Sequence, residues 1–341
     1  MGTLMPDSKR VDETDLMLLN ALQIAPRASW TSLGQTLGLN PTTLARRWER
    51  LGAHGDAWIS AYLSPTGSGG ALVEVDCDAN TAHSAAETLA RDPRIATVEE
   101  TSGARDLLLN VSTSSISALS DCLRGVQQAV GVRSVRSHVV TTVVTEASTW
   151  RLDALEPGQQ LALRTRTAPG YSSSVDLDPL ARRLAVELSA DGRLPVSELA
   201  ERTSASLNTV RRRLAHMEGA GLLKVRCDLA KGVSGSTTAA TFWLSVPPRE
   251  LDGAARAISE LPQVRVSVGV TGPQNLIVIA WLRDTSDIPQ FEIEMTQRSP
   301  AACIEDRAVT LRTIKHVGRL LDEQGCARGV VPVDPWAEVA W

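Results

Sequence analysis

The chain has 341 residues, 43% hydrophobic and 22% charged, the balance of an ordinary globular protein long enough for several domains. No apolar run approaches the roughly 20 residues that span a bilayer, residues 1–13 are too polar for a secretory signal, and Cys77, Cys122, Cys227, Cys303 and Cys326 are scattered without a Cys-x-x-Cys pair, so a disulfide framework and a zinc site are not indicated and a reducing cytoplasm is expected. The net charge of −4 means that any nucleic-acid contact must come from a local basic face.

In chain order, Asp12 is placed to cap a first helix with Leu16, Leu19 and Leu22 on one face. Leu33 and Leu37 mark a second helix, and Gly38 supplies a tight turn. Asn40 caps a third helix that begins at Pro41, where a missing N–H costs nothing. Leu44, Trp48 and Leu51 recur at i, i+4 and i+7 as a buried stripe. Arg46, Arg47 and Arg50 project from a different side, with Thr42 and Thr43 at the N-terminal turn. Two helices across a tight turn, the second carrying outward arginines, predict a helix-turn-helix over 8–63. Arginine can hold phosphate or pair with guanine O6 and N7, and a helix N-terminus with Thr or Asn can hold phosphate or read a base edge.

A Gly/Ser-rich joint at 64–70 follows. Strands at 71–77, 95–101, 106–112 and 132–144, with helices at 81–91 and 116–129, give the order β-α-β-β-α-β, the ferredoxin-like plan, over 70–146. Residues 147–175, with Pro157, Gly158, Pro169 and Gly170, read as a linker.

The pattern then recurs. At a constant offset Asp12 falls on Asp178, Leu18 on Leu184, Leu22 on Leu188, Arg27 on Arg193, Leu33 on Leu199, Thr43 on Thr209, Arg46 on Arg212, Arg47 on Arg213 and Gly55 on Gly221. A second helix-turn-helix is therefore expected over 176–229: Ser206 caps its third helix, Val210, Leu214 and Met217 form its stripe, and Arg211, Arg212, Arg213 and His216 lie away from it, with Asn208 and Thr209 at the first turn. Ser204 stands where the first copy has its turn glycine, a strained choice if the position needs φ > 0. Past a joint at 230–238, strands at 240–246, 264–270, 276–282 and 304–313 and helices at 250–261 and 289–297 repeat the ferredoxin-like plan over 238–315, with Gly103 falling on Gly272. Residues 316–341, with Trp336 and Trp341, form a tail. The fold class is thus α+β, two winged or helix-turn-helix three-helix heads and two ferredoxin-like (β-α-β-β-α-β) domains in tandem. Each ferredoxin-like sheet leaves one face uncovered by its own helices, so an intrachain pseudo-dimer, or a homo-oligomer through these domains, is expected.

These features resemble the Lrp/AsnC family of regulators, which join a helix-turn-helix to a ferredoxin-like effector domain. The resemblance rests on the Asp12 start, Leu-Gly-Leu-Asn-Pro-Thr-Thr-Leu at 37–44, the arginine-bearing helix and the Gly-x-x-Asp hairpin from Gly103 to Asp106, with counterparts at Asp178, 206–213 and Gly272 to Asn275. The usual member has one copy and dimerises; this chain looks like a fused pair. The resemblance implies a non-enzymatic, sequence-specific regulator without cofactor that contacts double-stranded DNA through Thr42, Thr43, Arg46, Arg47, Arg50, Asn208, Thr209, Arg211, Arg212, Arg213 and His216. It also implies a small effector, often an amino acid, near Gly103 and Asp106 and near Gly272 and Asn275, the last lacking the charge that would take an amino group. Two rivals stand beside it. One is an enzyme on the same scaffold, as in the sirohaem decarboxylases, which needs a basic, histidine-lined cavity. The other is a co-regulator that does not bind DNA. His54, His83, His138, His216 and His316 lack ligand spacing, although His138 falls on the last strand of the first effector domain, where the second copy has Arg307.

Overall fold

The computed structural model describes residues 11–63, 69–146, 151–164, 177–235 and 237–339. The expected start of the first head at 8–10, the core of the first joint at 64–68, the linker residues 147–150 and 165–176, and Trp341 lie outside the described residues. The chain divides into two compact units, and the division sorts the four expected domains by kind rather than by copy. One unit gathers both heads with the segment Asp322–Pro332; the other gathers both ferredoxin-like domains with Val333–Trp341.

In the head unit, α1 (Glu13–Ile24) is capped by Asp12, whose carboxylate accepts from the Asp15 N–H while the Asp15 carboxylate accepts from the Asp12 N–H. Helices α2 (Trp30–Leu37) and α3 (Pro41–Ala53) follow, α3 capped by Asn40. Leu18, Leu19, Leu22, Leu33, Leu44 and Leu51 are fully buried together. The second head repeats this with α7 (Pro179–Ala190), α8 (Val196–Thr203) and α9 (Leu207–Gly219), around Leu184, Leu188, Leu199, Val210 and Met217.

Two strands absent from the sequence reading join the heads. β1 (Ala57–Leu63) pairs antiparallel with β6 (Leu223–Leu229), Ala57 opposite Leu229 and Leu63 opposite Leu223. At the centre Ser60 faces Arg226, which is its own counterpart under the head alignment, so a pseudo-twofold axis passes through this pair. A reciprocal clamp confirms the axis. Arg27 donates to the carbonyls of Gly192 and Leu194 (3.1 Å for the latter), and Arg193 donates to Pro26 O (2.7 Å) and Ala28 O (2.9 Å). Arg193 also lies over the Trp30 ring at 4.1 Å, and burial beside Arg27 pulls its pKa down to about 10.

Part of the expected linker is structure. Residues 151–164 lie on the first head: Leu155 and Leu163 of the segment around α6 (Pro157–Leu163) enter its core. The buried Asn20 and Gln23 accept the Ala154 and Leu152 N–H groups at 2.8 and 2.9 Å. The short helix α10 (Lys231–Ser234) follows β6. From the tail, Ala327 of β12 (Ala327–Val330) donates to Gly55 O at 2.9 Å. Gly55 combines φ +72 with this backbone contact, so no side chain fits there.

In the sheet unit the first copy contributes β2 (Gly70–Cys77), α4 (Ala82–Leu89), β3 (Ile95–Thr101), β4 (Leu107–Ser112), α5 (Ile116–Gln128) and β5 (Val132–Thr145). The second contributes β7 (Thr238–Ser245), α11 (Leu251–Ser259), β8 (Val264–Val270), β9 (Leu276–Leu282), a 3₁₀ turn (Thr285–Asp287), α12 (Ile288–Arg298), β10 (Cys303–His316) and β11 (Arg319–Leu321). Each copy forms the expected sheet, and its last strand runs on into the other copy: β5 pairs with β8, and β10 with β3. The strands close on themselves in the order β10-β3-β4-β2-β5-β8-β9-β7, with β7 pairing again to β10. Helices cover the outer faces over two separate cores. The inner faces meet through Leu72, Leu108, Trp243, Val268, Val270, Ile277 and Ala308, the intrachain pairing expected of the open sheet faces. No helix among the described residues is long and apolar enough to cross a membrane.

Candidate DNA interface and sensing hairpins

The three arginines of each head part company. At about 100° per residue, Arg46 lies about 200° around α3 from the buried Leu44, whereas Arg47 lies only about 60° from it. Thr42, Arg46 and Glu49 are accordingly exposed, with the half-buried Ala45 completing a stripe at i, i+3, i+4 and i+7. On α9 the matching stripe is Asn208, Arg211, Arg212 and Ala215, all exposed. Arg46, Arg211 and Arg212 have no ion-pair partner among the described residues.

Arg47, Arg50 and Arg213 do not project freely, which corrects the sequence expectation. Arg47 reaches Asp12 at 2.7 Å and Asp15 at 2.8 Å, and Arg50 reaches the buried Asp15 at 2.5 Å. Arg213 pairs with Asp178. The hydrogen bonds that Arg47 donates to Asp12 and then to Asp15 raise its pKa. Because Asp12 aligns with Asp178 and Arg47 with Arg213, the pair is a repeated brace tying the start of the first helix to the third. His216 is exposed, and Thr43 and Thr209 are half-buried. The Thr42 N–H donates to the Asn40 cap at 2.8 Å and the Thr209 N–H to the Ser206 cap at 3.2 Å, so these turns are fixed before any ligand arrives.

At the hairpins, Gly103 (φ +93) and Gly272 (φ +121) are exposed turn residues. Asp106 accepts the Cys77 N–H at 2.7 Å, and Asn275 accepts from Val246 N–H at 2.9 Å and donates to Val246 O at 2.8 Å. The two residues hold equivalent backbone positions, which explains why Asn serves as well as Asp. For Asp106 and Asn275 the observed role is therefore a hairpin brace.

The residue directly before Asp106 was missed. Arg105 is buried on the inner face, with Nε 3.1 Å from Glu74 Oε2, Nη2 paired to Asp306, and its guanidinium 3.9 Å from the centre of the Trp243 ring. Glu74 also binds the buried His138 Nε2 at 2.8 Å and Arg136 at 2.9 Å. Burial pushes the Glu74 carboxyl up, but the His138 hydrogen bond and the Arg105, His138 and Arg136 charges outweigh it and hold the group below its ordinary value. His138 is thus a paired interior group. No signal in the hairpin's turn chemistry distinguishes Arg105 from a solvated loop arginine.

Two helix-turn-helix heads paired about a pseudo-twofold, with two ferredoxin-like domains in the same chain, define the helix-turn-helix regulator class. Family comparisons agree: an AsnC-type helix-turn-helix domain matches residues 11–51, the Lrp/AsnC ligand binding domain 70–150, and a winged helix-turn-helix DNA-binding domain 177–224. The chain thus carries an AsnC-type helix-turn-helix, an Lrp/AsnC ligand binding domain and a second winged helix-turn-helix in tandem, the domain types of the Lrp/AsnC regulators. An uncharacterised HTH-type transcriptional regulator of Pyrococcus abyssi is 26% identical over 125 residues, 36% of this chain and 79% of the relative, and one from Pyrococcus horikoshii is 24% identical over the same span. Among solved structures, the sirohaem decarboxylase NirDL in complex with an iron-uroporphyrin III analogue shares the fold at 16% identity and a TM-score of 0.58, over 90% of this chain and 93% of that one.

Proposed function

We propose that this chain is a sequence-specific DNA-binding transcriptional regulator of the Lrp/AsnC type, whose head unit docks α3 and α9 on one duplex and whose sheet unit answers to a small effector such as an amino acid. The observation that carries this reading is the pairing of two recognition helices about the β1–β6 axis, each with a stripe of exposed side chains holding arginine that has no ion-pair partner among the described residues. Heads so related favour half-sites about one helical turn, or a multiple of it, apart.

A salt titration of binding to a fluorescent duplex tests it. Each phosphate neutralised contributes about −0.9 to the slope of log affinity against log salt on B-DNA. The triple variant Arg46→Ala, Arg211→Ala, Arg212→Ala is expected to bind weakly and with a slope flatter by as much as about 3. Unchanged binding across salt by that variant sinks the DNA reading. A second reading, tetrapyrrole decarboxylation, draws on the near full-length likeness to NirDL. Stoichiometric binding of an iron-uroporphyrin by this chain, read as a visible absorbance band, would favour it over the regulator.

A further inference from the structure

The two heads are not copies of one another where they face outward. Aligned position by position, Thr42 matches Asn208, Ala45 matches Arg211, Arg46 matches Arg212 and Glu49 matches Ala215. The first stripe thus carries one arginine and one carboxylate, which cancel. The second carries two arginines and no carboxylate. The difference continues behind the stripes: Asp15, which holds Arg47 and Arg50, has Ala181 as its counterpart.

Side chains in these positions read bases differently. Arginine pairs with guanine O6 and N7, asparagine with adenine N6 and N7, and glutamate accepts from cytosine N4. A homodimer presents the same stripe twice and must read a palindrome, because operator symmetry mirrors protein symmetry. Here the heads are joined in one chain and locked by the β1–β6 ribbon and the Arg27 and Arg193 clamps, so one head of each kind is presented at every encounter.

Resting on the DNA-binding reading above, we infer that the operator of this protein is non-palindromic. Its two half-sites keep inverted geometry but differ in sequence, with guanine concentrated in the half under α9. The bound chain therefore has a direction on the duplex.

Selection from a randomised duplex library with the full chain tests this. The expected motif has two unlike halves, one richer in guanine. Arg211→Ala with Arg212→Ala is expected to lower base discrimination at least about fivefold in that half while sparing the other. Ala45→Arg with Glu49→Ala is expected to draw the half under α3 towards the guanine-rich half under α9 and the motif towards a palindrome. A palindromic motif from the unmodified chain overturns the inference, as does an Ala45→Arg, Glu49→Ala variant whose motif is unchanged. Failure of the unmodified chain to enrich any duplex is a different result: it removes the regulator reading, and this inference falls with it.

Discussion

Lys315 is fully buried, at 0% exposure, near the end of β10. Its Nζ donates to Asp92 O at 2.9 Å, while the Asp92 carboxylate is held by Arg94 at 2.7 Å. Burial pulls the amine from 10.5 down to about 7, with the Asp92 charge opposing the shift. The sign of the consequence follows from linkage. Between about pH 7 and pH 10 the unfolded chain binds a proton that the folded chain has released, so folding stability rises with pH across that window. Below about pH 7 both states carry the proton, and the full cost of a buried charge is present. Denaturant unfolding from pH 6 to 10 should show this rise, and Lys315→Met should remove it. Parallel profiles for the two proteins would mean that the amine is solvated.

At the scale of elements, the turn between α8 and α9 carries a defect that the equivalent turn of the first head lacks. Ser204 sits at φ +54, and Gly38 holds the corresponding place at φ +69. A left-handed conformation costs a non-glycine residue about 1–2 kcal/mol, part of which glycine returns as lost chain entropy. Ser204→Gly should therefore stabilise the protein by about 0.5–1 kcal/mol, read as a higher denaturant midpoint with unchanged slope. The strain was legible because the repeat placed a serine over a glycine. Strands β3, β8 and β9 were legible to the residue because each is a short β-branched or aliphatic run between turn signals. The ribbon strands were not. The first five residues of β1 are all buried, so β1 shows no period of two, and a partner far away in sequence decides its state. Pro157 and Gly158 argued for linker, yet proline at the first helical position simply opens α6. The arginines of α3 and α9 were set apart from the buried stripe as one face and not from one another. Resolving them by angle separates Arg46, Arg211 and Arg212 from the braces, but the carboxylates that bind the rest lie on another helix and no local pattern reveals them.

For the whole molecule, fusion matters most inside the closed sheet. With Gly103 laid on Gly272, Glu74 corresponds to Trp243, Arg105 to Gln274, His138 to Arg307 and Asp306 to Ser137. Arg105 therefore finds an aspartate and an indole face only when copy one meets copy two. Opposite a second copy one it would face serine and another glutamate. Opposite copy two, Trp243 of a like partner would find Gln274 in place of a cation. A desolvated cation over tryptophan is worth about 2 kcal/mol, and removing one partner of a buried ion pair costs about 3–5 kcal/mol. The interface is thus selective for unlike copies, and the charges that make it so are poor contributors to stability as such. Produced as separate polypeptides, residues 1–164 and 177–341 should associate one to one, with mixed pairs exceeding either like pair by at least about tenfold in native mass spectrometry. Arg105→Gln should erase most of that preference while leaving the apolar inner face formed by Leu72, Leu108, Val268 and Ile277 in place. A statistical mixture of like and unlike pairs from the unmodified halves would show that shape alone, without the Arg105 cluster, sets the pairing.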